Sequence, residues 1–250
     1  DWNFHLDLWQ FPFQLTKLVD QRENSIQPFS EKYFKLVKPF YTMLADAGQA
    51  AITTYIKDGA FDKGQSMVKW TKKTDGTWSF DYTDFDGFVE TMIEWDIVRQ
   101  INCFSLVGWD VSVQYYDEKS SNQSVLNFDV NDPLYESVWN DFLLSFYNHL
   151  TQKGWFEKAV LYMDEIEEDK MKKVIEIVKN NNVTWKIGLT GKNPSASIAS
   201  QLYDYSAILG DNRSYRTPVS TFYTSCSNII PNNYVTPQNN PAEMTWMAWY

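Results

Sequence analysis

The chain predicts an α/β fold of parallel strands, best fitted by a (β/α)8 barrel of the TIM type that lacks its last unit. Three observations lead there. Short apolar runs alternate with helix-periodic segments through all 250 residues, and strand–helix–strand repetition demands parallel pairing. No strand is followed by a Gly-rich phosphate loop. Gly188-Leu-Thr-Gly191 comes nearest and lacks both the spacing and the Lys, which counts against a nucleotide-binding open sheet. Finally, connections from helix to strand are short (Gly48-Gln49, Val98-Arg99-Gln100, Gly154 to Lys158), whereas those from strand to helix are long (11–29, 57–83 and 108–131). In barrels the latter emerge at the C-terminal face, where active sites are built. With no low-complexity linker, residues 1–250 read as a single domain.

The elements follow in order. The first strand, Phe4–Gln10, puts His5, Asp7 and Trp9 on one face and Phe4, Leu6 and Leu8 on the other. The apolar face would pack on helices and the polar face would line the barrel, so Asp7 and Trp9 are candidate site residues. A structural Asp bonded to neighbouring strands explains Asp7 equally well. Ser30 caps a helix over 30–47, ended by Gly48, and strand Ala50–Ile56 follows. Loop 57–83 carries a hairpin with an Asp75-Gly76 turn flanked by alternating aromatics. Then come a helix over 84–97 and strand Ile101–Val107, with Trp109 and Asp110 just past its end. A second hairpin joins Val111–Tyr116 to Ser124–Phe128, and both hairpins are expected to overhang the mouth.

Asp132-Pro133 opens a helix over 133–153 that Gly154 closes. Strand Ala159–Glu165 follows, then a helix over 167–181, acidic at its start and lysine-rich later, as the helix dipole favours. Strand Trp185–Gly191, a helix over 195–203, and strands Tyr205–Gly210 and Val219–Ser225 complete the alternation. Tyr223 falls where a mouth hydrogen-bond donor would stand, and a last helix begins near Pro241.

The net charge of −10, without a basic cluster, argues against nucleic acid and anionic membrane surfaces as partners. No apolar run approaches the roughly 20 residues that a membrane span needs. Aromatic content of 17%, including 11 Trp, fits a core rich in rings and also a surface that stacks on sugars. Cys103 and Cys226 read as buried thiols. His5 and His149 lack metal-ligand spacing, so neither a metal nor a cofactor is implied. The chain opens on Asp1-Trp2-Asn3 without Met and stops at Trp249-Tyr250, which reads as a piece of a longer polypeptide.

The most informative segment is Ala159-Val-Leu-Tyr-Met-Asp164-Glu165. An apolar strand that surfaces as two adjacent acids puts both at the rim of a core. Neighbouring carboxylates resist double ionisation, so one holds its proton to higher pH. That suits acid/base work on an acetal. A strand running into a solvated acidic turn, continued by Glu167, Glu168 and Asp169, accounts for the same letters.

Several segments in order share one pattern: His5-Leu-Asp-Leu-Trp-Gln-Phe-Pro12, Met43-Leu-Ala-Asp-Ala-Gly48-Gln with Ile52-Thr-Thr54, Phe80-Asp-Tyr-Thr-Asp-Phe85-Asp86, Gln100-Ile-Asn102-Cys-Phe-Ser105, Lys153-Gly-Trp-Phe156, Met163-Asp164-Glu165 and Pro241-Ala-Glu-Met-Thr-Trp246. In these the chain resembles glycoside hydrolase family 123, the β-N-acetylgalactosaminidases and their bacterial relatives. The resemblance implies a (β/α)8 catalytic barrel, usually behind a β-sandwich, in a secreted or cell-surface bacterial protein. Its partner would be a glycan containing N-acetylgalactosamine.

It further implies substrate-assisted retention, in which the substrate's 2-acetamido oxygen attacks the anomeric carbon. Asp164 would orient that group. Glu165 would protonate the leaving oxygen, its pKa raised by burial and by the Asp164 charge. By their places on or just past the strands, and not from the resemblance, Trp9, Trp109, Tyr223 and Asp7 are the candidates to line the sugar site. Two readings stay open beside it: a non-catalytic glycan-binding relative, and a glycosidase of another class pairing Glu165 with Asp7 or Asp110. Three departures stand out. Ile166-Glu167 replaces the family's usual Arg-Pro, Ser225-Cys226-Ser227-Asn228 replaces Cys-Cys-Thr-Glu, and the chain stops before the family's eighth strand.

Overall fold

The computed structural model describes residues 5–19, 26–59, 65–191, 193–208 and 217–223. In chain order the elements are α1 (Pro12–Val19), α2 (Glu31–Asp46), β1 (Ala51–Tyr55), β2 (Lys69–Lys72), β3 (Trp78–Asp81), α3 (Thr83–Glu94), β4 (Gln100–Phe104), β5 (Val113–Asp117), β6 (Asn122–Leu126), α4 (Pro133–Lys153), β7 (Ala159–Asp164), α5 (Glu168–Asn180), β8 (Lys186–Gly191), α6 (Ala196–Ala199), β9 (Asp204–Ile208) and β10 (Val219–Tyr223). Six strands form one sheet in the order β1-β4-β7-β8-β9-β10, and every pairing in it is parallel.

One hydrogen bond reveals how strongly this sheet curls. β4 and β9 are three strands apart, about 14 Å along a flat sheet. Yet Gln100 Nε2 donates to Asp204 Oδ2 at 2.7 Å. Two side chains cannot span that gap unless the sheet folds toward a barrel. Among the described residues β10 pairs only with β9, so what is described is an open, deeply curved arc.

The first expected strand is corrected. Phe4 lies outside the described residues, and within 5–10 only Leu6 forms a bridge, parallel to Gln49. Glutamine side chains occupy the positions that a ladder would use. Gln49 Oε1 accepts from Leu8 N at 2.9 Å and its Nε2 donates to Ala51 O at 2.7 Å. Thr53 N donates to Gln10 Oε1 at 2.7 Å. The segment therefore still runs beside β1, held by side-chain amides.

Local signals act where the sequence places them. Ser30 Oγ accepts from Tyr33 N, Asp132 accepts from Leu134 N, and Gly154 closes α4 at φ 73° in the left-handed region. The helix expected over 195–203 is only one turn, Ala196–Ala199. α1 was not anticipated and lies inside the long connection 11–29. The helix near Pro241 lies outside the described residues, as does Cys226. Cys103 is buried on β4, and burial pushes its thiol up to about 12.

The two hairpins form and merge into a four-stranded sheet, β3-β2-β5-β6. Its aromatic face is pressed onto α4. Trp70 stacks on Phe142 at 4.6 Å and meets Trp139 edge-on at 5.3 Å. The sheet is thus a flank of the α4 layer, and it touches the strand ends through Trp70 Nε1, which donates to Ile56 O at 2.9 Å.

Candidate active site

All six strands of the curved sheet run the same way, so their C-terminal ends share one rim. β7 ends there in Asp164, whose partner across the ladder is Thr190 of β8. Alternation puts Asp164 on the face of Tyr162, which points into the concave side. Asp164 is 7% exposed. Its carboxyl is raised to about 7, first by burial and then by the charge of Glu165.

Glu165 is turned away from that alternation. Its φ of 49° lies in the left-handed region, a conformation that costs a non-Gly residue about 1 kcal/mol. Its N–H donates to Thr190 O at 2.9 Å, and its side chain is exposed. Gly191 makes room for it: a Cβ there would stand 3.4 Å from Glu165 Cα. Strain held at a strand end beside a buried acid is a mark of functional sites. The sequence reading expects burial at Glu165; the structure places it at Asp164.

Beneath Asp164 lies a polar floor. Tyr162 is fully buried and its ring covers Gly188, where an added Cβ would fall 2.4 Å from Cδ2. The ring also packs on Phe104 with centroids 5.1 Å apart. Its hydroxyl is set among Asp204 and Thr190. Asp204 is raised to about 6, first by burial, which its hydrogen bond from Gln100 opposes.

Asp7 belongs to this floor. Its carboxylate accepts from Asn102 Nδ2 at 2.8 Å and Gln49 Nε2 at 3.5 Å. Asn102 pairs with Val160, four residues below Asp164 along β7. The Asp7 side chain is half-buried over its whole surface, but its carboxyl end is enclosed. Burial and the Asp204 charge raise it to about 7.

The remaining candidates separate. Trp9 is half-buried and lies edge-on to Phe104 at 5.3 Å. Trp109 is 69% exposed, five residues past β4 at the rim. Tyr223 ends β10 at the same rim; its side chain lies outside the described residues. Asp110 is exposed, with both oxygens accepting from Ser112, one from N and one from Oγ, at 2.9 Å each. The structure thus brings Asp164 and Glu165 together, sets Asp7 in the layer below, and leaves Trp109 displayed.

Sequence reasoning did not single out Tyr162 or Asp204, and it weighed Gly188 only as part of a phosphate loop. Glycines inside an apolar strand were the available signal: Gly188 and Gly191 each vacate space for a residue of β7 or its end. Among the described residues, no group of three or more His, Cys, Asp or Glu side chains is arranged to hold a metal ion.

Comparison with known proteins adds a family. The model of the glycoside hydrolase 123 catalytic domain matches residues 9–250. A solved family 123 glycoside hydrolase from Clostridium perfringens, studied for glycolipid glycan hydrolysis, superposes with a TM-score of 0.73 at 27% identity. The match covers 82% of this chain and 38% of that one, so the chain spans under two fifths of its relative's length. A noncanonic maltogenic α-amylase, AmyB from Thermotoga neapolitana, gives a TM-score of 0.38 at 11% identity, over 70% of this chain and 45% of its own. No curated protein matches the chain.

Proposed function

The chain belongs to glycoside hydrolase family 123 by its catalytic domain, and from that premise we propose that it is a glycosidase releasing terminal β-linked N-acetylgalactosamine with retention, by participation of the substrate's own acetamido group. We take residues 1–250 as one (β/α) barrel catalytic domain. The observation that carries this reading is the pair at the end of β7, a buried Asp164 raised to about 7 beside an exposed Glu165.

Each acid then has a task suited to its surroundings. Ionised Asp164 accepts the acetamido N–H. In a buried site that hydrogen bond is stronger than in water, and it polarises the amide so that its oxygen attacks the anomeric carbon. The nucleophile is part of the substrate and already in place, so no third carboxylate is required. Glu165, at the open end, donates its proton to the leaving oxygen as the glycosidic bond breaks. It then takes a proton from the water that opens the cyclic intermediate. Trp109 offers an exposed ring on which the apolar face of a sugar can stack.

An ordinary carboxylate pair is less well supported. Asp7 is engaged by Asn102 and Gln49 in the floor, and Asp110 has both oxygens occupied by Ser112. The test is turnover of aryl 2-acetamido-β-glycosides by the full-length protein and its Glu165→Gln variant. Loss of the general acid should lower kcat/KM about a hundredfold or more, least for the best leaving groups, with partial rescue by an external nucleophile. Unchanged turnover would remove Glu165 from the mechanism. Sugar binding without any turnover in the wild type would favour a non-catalytic glycan-binding relative.

A further inference from the structure

We propose that Lys57 is a positioning residue for sugar binding, clamping together two rim connections so that Trp109 is presented as a fixed platform. The inference rests on the glycosidase reading above and adds a residue that does not touch the substrate.

Lys57 lies two residues past β1 and is fully buried. Its ammonium donates to Asp58 O, in its own connection, and to Ser112 O at 3.0 Å, in the connection after β4. The two carbonyls belong to segments 54 residues apart in the chain, joined by one amine. A Met of similar length would fill the space but leave both carbonyls without their buried donor. An ammonium is costly to bury, so a fold that keeps one here is using its hydrogen bonds. Burial lowers the amine's pKa, and the charges of Asp58 and Asp110 oppose that shift.

The surrounding contacts tighten the same joint. Asp58 Oδ1 accepts from Gln114 N at 2.8 Å, gripping the start of β5. Asp110 closes a turn on Ser112. Gly59, at φ 67°, fits between them: a Cβ would meet Asp110 Cβ at 3.3 Å and Lys57 Nζ at 3.4 Å. Phe104, Ser105, Leu106 and Val107 are buried on one side of Trp109, and Ser112 and Val113 on the other. Trp109 and Asp110 therefore form a short exposed projection between two buried anchors, the second of which Lys57 holds. Trp109 stands 69% exposed on this mount, and a ring held fixed binds a sugar without first being ordered.

The experiment uses the full-length protein with Lys57→Met, Trp109→Ala and the double variant. Hydrogen exchange over residues 108–114 and the separate kcat and KM for an aryl β-N-acetylgalactosaminide are measured. Lys57→Met is expected to speed exchange in that segment and to raise KM about tenfold, the worth of one aromatic contact, with the loss falling on KM rather than kcat. The double variant should have the KM of Trp109→Ala alone, because both changes remove one interaction.

Additive losses in the double variant, or a Lys57→Met defect confined to kcat, would overturn the proposal. So would a KM unaffected by Trp109→Ala, and in that case continued wild-type turnover would leave the glycosidase reading standing. If Lys57→Met does not fold, Asp110→Ala replaces it, since that exposed residue can be truncated without opening the core. It must give the same exchange and the same non-additivity with Trp109→Ala, and independence from Trp109 would again refute the clamp.

Discussion

Replacing Asp164 by Asn should make the protein more stable and less active, and the stability gain should depend on pH. The carboxyl holds its proton to about 7 in the native state, against 3.8 without the fold. Between these values the native protein binds more protons than the unfolded chain, so wild-type stability falls as pH rises. The fall is about 1.4 kcal/mol per unit at most and levels off above about pH 7. The whole penalty amounts to about 4 kcal/mol, and about 2 to 3 kcal/mol of it develops between pH 5 and 8.

Asn fills the same volume and does not ionise, so its advantage over wild type should grow by that amount from pH 5 to 8. Asp7 and Asp204 also carry raised values. They act in both proteins, and the charge acting on Asp164 is that of Glu165, so the difference isolates residue 164. Urea unfolding of both proteins at pH 5, 6, 7 and 8 measures it. An Asn-minus-Asp difference that stays constant across that range would refute the reasoning, because it would mean that Asp164 ionises in the native state as it does in the unfolded chain.

Two further outcomes follow from the same layer of the structure. The acidic limb of kcat/KM should follow the ionisation of Asp164, rising with pH up to about 7, since only the carboxylate accepts the acetamido N–H; a pH profile in which Asp164→Asn shows the same limb would assign it elsewhere. Gly188→Ala should displace the Tyr162 ring, because the new methyl would stand 2.4 Å from it. Overpacking of this kind costs about 1 to 3 kcal/mol, measurable by denaturant midpoint, and kcat should fall with it as the floor under Asp164 shifts.

Much of the frame was legible before the structure. Strand–helix alternation gave the parallel sheet, and Ser30, Asp132 and Gly154 marked helix ends that the structure reproduces as caps. Asp75-Gly76 marked a hairpin turn, with Gly76 at φ 90°. These signals act within a few residues, so a linear reading can find them. The segment 5–10 misled because its alternation is that of a strand while glutamine side chains from within it and from Gln49 take over the ladder's hydrogen bonds. The merging of two hairpins was invisible for a related reason. β2 and β5 pair across more than forty residues, and only the shared aromatic surface of α4 brings them together.

The acids of the site divide along the same line. That Asp164 and Glu165 stand together at a strand end follows from their adjacency in the chain, and the amino-acid order settles it. Which of them is buried does not follow. A backbone turn at Glu165, space vacated at Gly188 and Gly191, and a floor joining Gln100 to Asp204 across 104 residues make that choice. Burial is a property of how distant strands converge, and a carboxyl's charge depends on burial. The sequence therefore names the pair, and the curvature of the sheet decides which member is buried.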